Sequence, residues 1–298
     1  DGIHIDAQGN NNVIGGTTVG ARNIISGNFG AGISIVAGIN NTIQGNFIGT
    51  DVTGMIDLGN GGDGVNLDST SGNTIGGTTT GAGNVISGNG GDGVSISGST
   101  NNQVQGNLIG VQATGGGALG NDGIGVRFSG SSNNTIGGTA TGAGNTIAFS
   151  GSFGIFIPGG GGNSLLGNSI FGSTSLGINL SDDLVTPNDP GDTDSGANGL
   201  QNFPDLISVS GSVLTASLNS LPNTDFRVEY FANSTCDPSG HGQGEVFLGA
   251  RTVTTDTVGD TGNFTFSFTP QPNLNVFTMT ATNLTTGDTS EFSACLSN

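Results

Sequence analysis

The chain has 298 residues, of which 59 are glycine, and its 22 acidic residues face only four arginines and no lysine, for a formal charge of −18. Nothing in that balance could neutralise phosphates, which excludes a nucleic-acid-binding surface and disfavours docking on anionic lipid. No apolar run is long enough for membrane insertion. Hydrophobic residues still make up 32% and recur at fixed places. Many short strands punctuated by turns, not disorder, are therefore expected.

Taken in chain order, the first 180 residues repeat. Ile14, Ile75 and Ile136 are 61 residues apart, as are Asn23, Asn84 and Asn145, and Asn46, Asn107 and Asn168. Each unit splits into two halves of about 30 residues. The halves open with GIHI at 2, GISI at 32, GVNL at 64, GVSI at 93, GIGV at 123, GIFI at 154 and GINL at 177. Alternation within each opening puts Ile3 and Ile5, or Val94 and Ile96, on one side of a strand. A second run centres on Ile14, Ile43, Ile75, Val104, Ile136 and Leu165, and a third on Ile25, Ile48, Ile86, Ile109, Ile147 and Ile170. Three short strands per repeat describe one coil of a parallel solenoid. Six to seven coils of about 30 residues would make a rod roughly 30 Å long. The aligned asparagines would form an amide ladder at one corner.

The GIxI…NxIxG…NxISGN grammar resembles the right-handed parallel β-helix repeat of pectate-lyase-like folds, and within them bacterial surface and secreted proteins. The resemblance covers residues 2–183 and implies the handedness. It leads to an all-β chain with a parallel β-helix over 1–183.

Residues 184–204 read as an Asp/Gly/Pro-rich linker. The acidic stretch Asp182, Asp183, Asp189, Asp192 and Asp194 is a candidate Ca²⁺ site, because hard carboxylate oxygens at close spacing suit that ion. Ca²⁺ is the one cofactor the sequence offers. From 205 to 298, seven alternating segments (206–209, 213–218, 226–231, 245–253, 263–268, 275–284 and 289–296) fit an immunoglobulin-like β-sandwich. Cys236 and Cys295 are the only cysteines, and in an exported protein such a pair reads as a disulfide.

Chemistry is sparse in the sequence. Asp63, Asp92 and Asp122 each precede a coil-opening glycine, so stacking would align them as a carboxylate column. They serve either as turn formers or as a catalytic or cation-binding group. Arg22 and Arg127 have no acidic cluster beside them in the sequence. GGTTTGAG reads as a solenoid corner, not a phosphate loop, since no helix follows. The absence of Trp and the single Tyr weaken enzyme and lectin readings alike. Sequons at Asn40, Asn133, Asn179, Asn233, Asn263 and Asn283 permit glycosylation.

On these grounds a non-enzymatic role is favoured: an extracellular or cell-surface structural protein, assembling head to tail through the first coil at Ile3 and Ile5 into a filament or matrix. The alternatives are a secreted polysaccharide lyase or glycoside hydrolase, and a surface adhesin binding glycan or protein.

Overall fold

A computed structural model describes every residue except Gln8. The chain divides into two compact units, residues 1–156 with 165–175, and residues 157–164 with 176–298.

Period-2 alternation and recurrent glycine corners wind the N-terminal part into three parallel sheets. The first is built from Ile3–Ile5, Ile33–Val36, Val65–Asp68, Val94–Ser97, Val126–Ser129, Ile155–Ile157 and Ile178–Leu180, in that order. Two six-stranded sheets accompany it, one running from Val13–Gly15 to Ser164–Leu166 and the other from Ile24–Ile25 to Ser169–Phe171. Neighbouring strands run parallel and in register, with Ile33 beside Val65 and Val65 beside Val94. The interior is the set of aliphatic columns: Ile43, Ile75, Val104 and Ile136 are fully buried, as are Ile48, Ile86, Ile109 and Ile147. The parallel β-helix expected from the repeat is thus present.

The corners are polar and satisfied. Asn23, Asn46, Asn84, Asn107, Asn145 and Asn168 form the expected ladder, each Nδ2 donating to the next Oδ1 at 2.9–3.1 Å. Two further ladders, unremarked in the sequence, mark other corners. One runs Asn12, Asn41, Asn73, Asn102, Asn134; the other runs Asn28, Asn60, Asn89, Asn121. Beyond Asn12, Asn23 and Asn28 at the ladder ends, the rungs pair buried amides that would otherwise cost desolvation energy. The glycine before the first ladder is required by its path. Gly76 has φ +86°, and a Cβ there would run into the Gln105 carbonyl.

One coil opening differs from the expected position. The strand at 126–129 is opened by Gly125, whose N–H donates to Phe153 O as Gly93 N–H donates to Ile124 O. GVRF at 125, not GIGV at 123, is therefore the repeat element. The preceding loop is as long as its counterpart 61 residues earlier, and its own Gly-apolar dipeptide mimics a strand start.

In the second unit two antiparallel sheets share one core. Asp205–Ser210, Val213–Ser217 and Phe264–Ser267 make the smaller sheet; Val246–Thr254, Asp225–Asn233, Val276–Asn283 and Leu296–Ser297 make the larger. Leu214, Phe226, Tyr230, Phe264, Phe277 and Met279 pack between them. The last segment is shorter than expected, two residues in place of 289–296. Its serines explain this. Ser290 and Ser293 Oγ accept the N–H groups of Ala281 and Met279, so hydroxyls stand where ladder carbonyls would.

The acidic segment 184–204 is knitted into this unit. Asn202 donates to Asp189 O and Asn219 O, and Asn188 exchanges hydrogen bonds with Phe203. Cys236 and Cys295 are bonded to each other.

Candidate functional site

The outer face of the first sheet collects the chemistry of the first unit. Parallel register stacks His4, Ser34, Asn66, Ser95, Arg127 and Phe156 in one outward column. The residue just before each opening glycine forms a second column beside it: Asp63, Asp92, Ile124 and Phe153. Coils stack at about 4.8 Å, so a carboxylate pair, a guanidinium and an aromatic pair follow one another in consecutive steps.

Asp63 Oδ1 accepts the backbone N–H of Asp92 at 2.8 Å, and Asp92 Oδ1 accepts that of Ile124 at 2.7 Å. Each side chain thereby closes the turn before the next strand and leaves its second oxygen free for chemistry. Asp92 Oδ2 lies 4.0 Å from Arg127 Nη1. Burial pushes both carboxyls above the ordinary range. The Asp92 charge raises Asp63 further, whereas Arg127 works against the rise at both. Two carboxyls with unlike surroundings are the arrangement that separates an acid from a base. Phe153 and Phe156 stack next to Arg127, ring centroids 5.2 Å apart.

Asp122, the third member expected in the column, is not in it. It is exposed, and Ile124 takes the place its coil assigns. The shifted opening at Gly125 is the cause. The same shift hid Arg127, which belongs two residues after Gly125 as Ser95 belongs two after Gly93, and so comes beside Asp92. Arg127 thus has the acidic partners that the linear sequence did not show.

The acidic candidates of the second unit separate. Asp189, Asp192 and Asp194 bring carboxylate oxygens within 4.8 Å of one another; Asp182 and Asp183 are exposed and lie outside that cluster. Asp192 is buried, with Oδ1 accepting from Asn202 N–H and Oδ2 from Ser220 Oγ, and burial pushes its carboxyl up to about 6. Asp189 caps Thr193 through N–H and Oγ1. The Asp189 and Asp192 oxygens already have protein donors, with which a cation would compete. Of the sequons, Asn40, Asn133 and Asn263 are exposed, whereas Asn179, Asn233 and Asn283 are buried. A buried amide has no room for a bulky glycan. Ile3 and Ile5 are half-buried at the first strand.

Residues 57–175, under half of the chain, match a family described as periplasmic copper-binding protein (NosD). That matched stretch contains no His, Cys or Met, so it lacks the imidazole and sulfur donors that copper sites use, and no copper chemistry is derived from it. No curated protein matches the chain. Among solved structures, a periplasmic alginate epimerase is similar at 18% identity over 63% of this chain and 37% of its own, with a TM-score of 0.45. Tailspike protein 2 of Escherichia coli O157:H7 bacteriophage CAB120 is similar at 12% identity over 99% of this chain and 50% of its own, with a TM-score of 0.35. A third, at 11% identity over 90% of this chain and 54% of its own (TM-score 0.20), is the tailspike gp49 of Acinetobacter baumannii bacteriophage Fri1, a capsular polysaccharide depolymerase. The chain spans about half the length of these structures or less.

Proposed function

We propose that this protein is an exported enzyme that cleaves a polysaccharide on the outer face of the first sheet. The observation that carries this reading is the cluster of Asp63, Asp92 and Arg127 on three consecutive coils, with both carboxyls raised by burial. Asp63, raised by burial and further by the neighbouring Asp92 charge, would donate a proton to the glycosidic oxygen. Asp92, whose rise Arg127 opposes, would take a proton from water or sugar. The remaining N–H groups of Arg127 suit an anionic sugar substituent. The half-exposed ring of Phe153, backed by the buried Phe156, suits the flat face of the adjoining residue.

This reading replaces the structural filament favoured by the sequence alone. The filament rested on the first coil at Ile3 and Ile5 and on self-association, to which the fold adds no chemical feature, whereas the outer face adds an acid pair with a cation. Export is supported by the Cys236–Cys295 bond and by the periplasmic description of the matched family. We further infer that the second unit is an immunoglobulin-like accessory domain, from its antiparallel sheets of three and four strands around one core.

The test is a depolymerisation screen of the whole chain on neutral and uronate-bearing polysaccharides, following chain length, new reducing ends and the ultraviolet absorbance of unsaturated uronates. Shortened chains are the expected result, and absorbance separates elimination from hydrolysis. No shortening of any substrate across the pH range would overturn the reading.

A further inference from the structure

A cleft of about 680 Å³ opens on a different face of the first unit, over the outer side of the third sheet. Its floor is the outward column of that sheet, Phe47, Val85 and Leu108 in register. One wall is the GGTTTGAG corner noted in the sequence, where Thr78, Thr79 and Thr80 are exposed. At one end the guanidinium of Arg22 lies over the Phe47 ring, 3.8 Å from its centroid, with Nε donating to Gly45 O at 3.2 Å.

Two features select the ligand. Among the described residues no acidic one lines this cleft, although the chain carries 22 of them. Arg22, unlike Arg127 and Arg227, has no carboxylate partner among the described residues. Its Nε and ring contacts fix the plane of the fork and leave its terminal N–H groups for a planar anion. A guanidinium that is pre-oriented loses less freedom on pairing with a carboxylate. The apolar floor and the hydroxyl wall match the two faces of a sugar, and the volume lies within the usual range of small-molecule sites.

We propose that this cleft is a second binding site, distinct from the acid pair, for a carboxylate-bearing segment of a glycan, with Arg22 holding the carboxylate. Its ligand class rests on the polysaccharide reading above; its location does not. A chain held there and at the first sheet would be anchored at two places, which raises its effective concentration at the acid pair.

The experiment is titration calorimetry of the whole protein with oligogalacturonate and with neutral galacto-oligosaccharide, comparing wild type, Arg22→Gln, Thr79→Glu and Asp63→Asn. Salt-sensitive binding of the acidic oligomer is expected, weakened at least tenfold by Arg22→Gln. The exposed Thr79→Glu, which removes no packing contact, should weaken acidic binding in the same sense and leave thermal stability unchanged. Asp63→Asn should retain binding at the cleft, and a wild-type protein that binds through Arg22 yet shortens no chain would count against the enzyme reading alone. Unchanged affinity in both Arg22→Gln and Thr79→Glu, or no binding by the wild type, would overturn the cleft proposal.

Discussion

Asn107 Nδ2 donates to Ile75 O, Gln105 O and Asn145 Oδ1, and its Oδ1 receives both the side chain and the backbone N–H of Asn84. Asn23 is at the end of the same ladder and exposed, and its side chain bonds only Asn46 Oδ1 among the described residues. Truncation leaves buried donors and acceptors unpaired in the first case and solvated ones in the second. Asn107→Ala should therefore cost about 3 kcal/mol or more, and Asn23→Ala under about 1 kcal/mol, read from denaturant melts. Equal losses at the two sites would mean that the ladder does not hold the coils. One of the three ladders is evident in the sequence by its 61-residue spacing. The other two follow the same spacing, Asn12 with Asn73 and Asn134, and Asn28 with Asn89, and were hidden by the abundance of asparagine around them. The repeat also carried the correction at the acid column. Sixty-one residues after Asp63 comes Ile124, not Asp122, but the Gly-apolar dipeptide at 123 outweighed that count.

At the scale of elements, aliphatic periodicity made the coils legible because each interior position is fixed by stacking on two neighbours. The site was legible in part. Asp63 and Asp92 stand out as residues before a glycine, whereas Arg127 and Phe153 acquire meaning only once the register of their coil is known. In the second unit, strand edges were misjudged where serine hydroxyls replace the ladder. The Cys236–Cys295 bond ties the C-terminal segment to the loop before Val246–Thr254 across 59 residues of chain. Its reduction should cost the second unit about 4 kcal/mol by the chain-entropy estimate. A lowered midpoint of that unit in dithiothreitol, with the first unit's transition unmoved, is the expected calorimetric result. Loss of both transitions together would show that the bond supports more than its own sheet.

Across the whole molecule, acidity sets how stability varies with pH. Glu291 is buried, accepts N–H groups from Leu180 and Thr186, and is pushed up to about 7, chiefly by burial; Asp192 is pushed up to about 6 for the same reason. A carboxyl whose folded value exceeds its unfolded value binds its proton more tightly when folded. Its contribution is complete below about pH 4 and is lost as pH rises through 6 and 7. The second unit should lose on the order of a few kcal/mol between about pH 4 and pH 8, and Asp192→Asn should flatten part of that slope. A midpoint that climbs toward pH 8 would contradict the assignment.

The central claim is that Asp63 and Asp92 form an acid–base pair on the outer face of the first sheet. Its most direct measurement is the cleavage rate of wild type, Asp63→Asn and Asp92→Asn on whichever polysaccharide the wild type shortens, with thermal midpoints recorded in parallel. A loss of about 10²- to 10⁴-fold is expected in each variant while the protein stays folded at the assay temperature. Folded variants that cleave at the wild-type rate would contradict it.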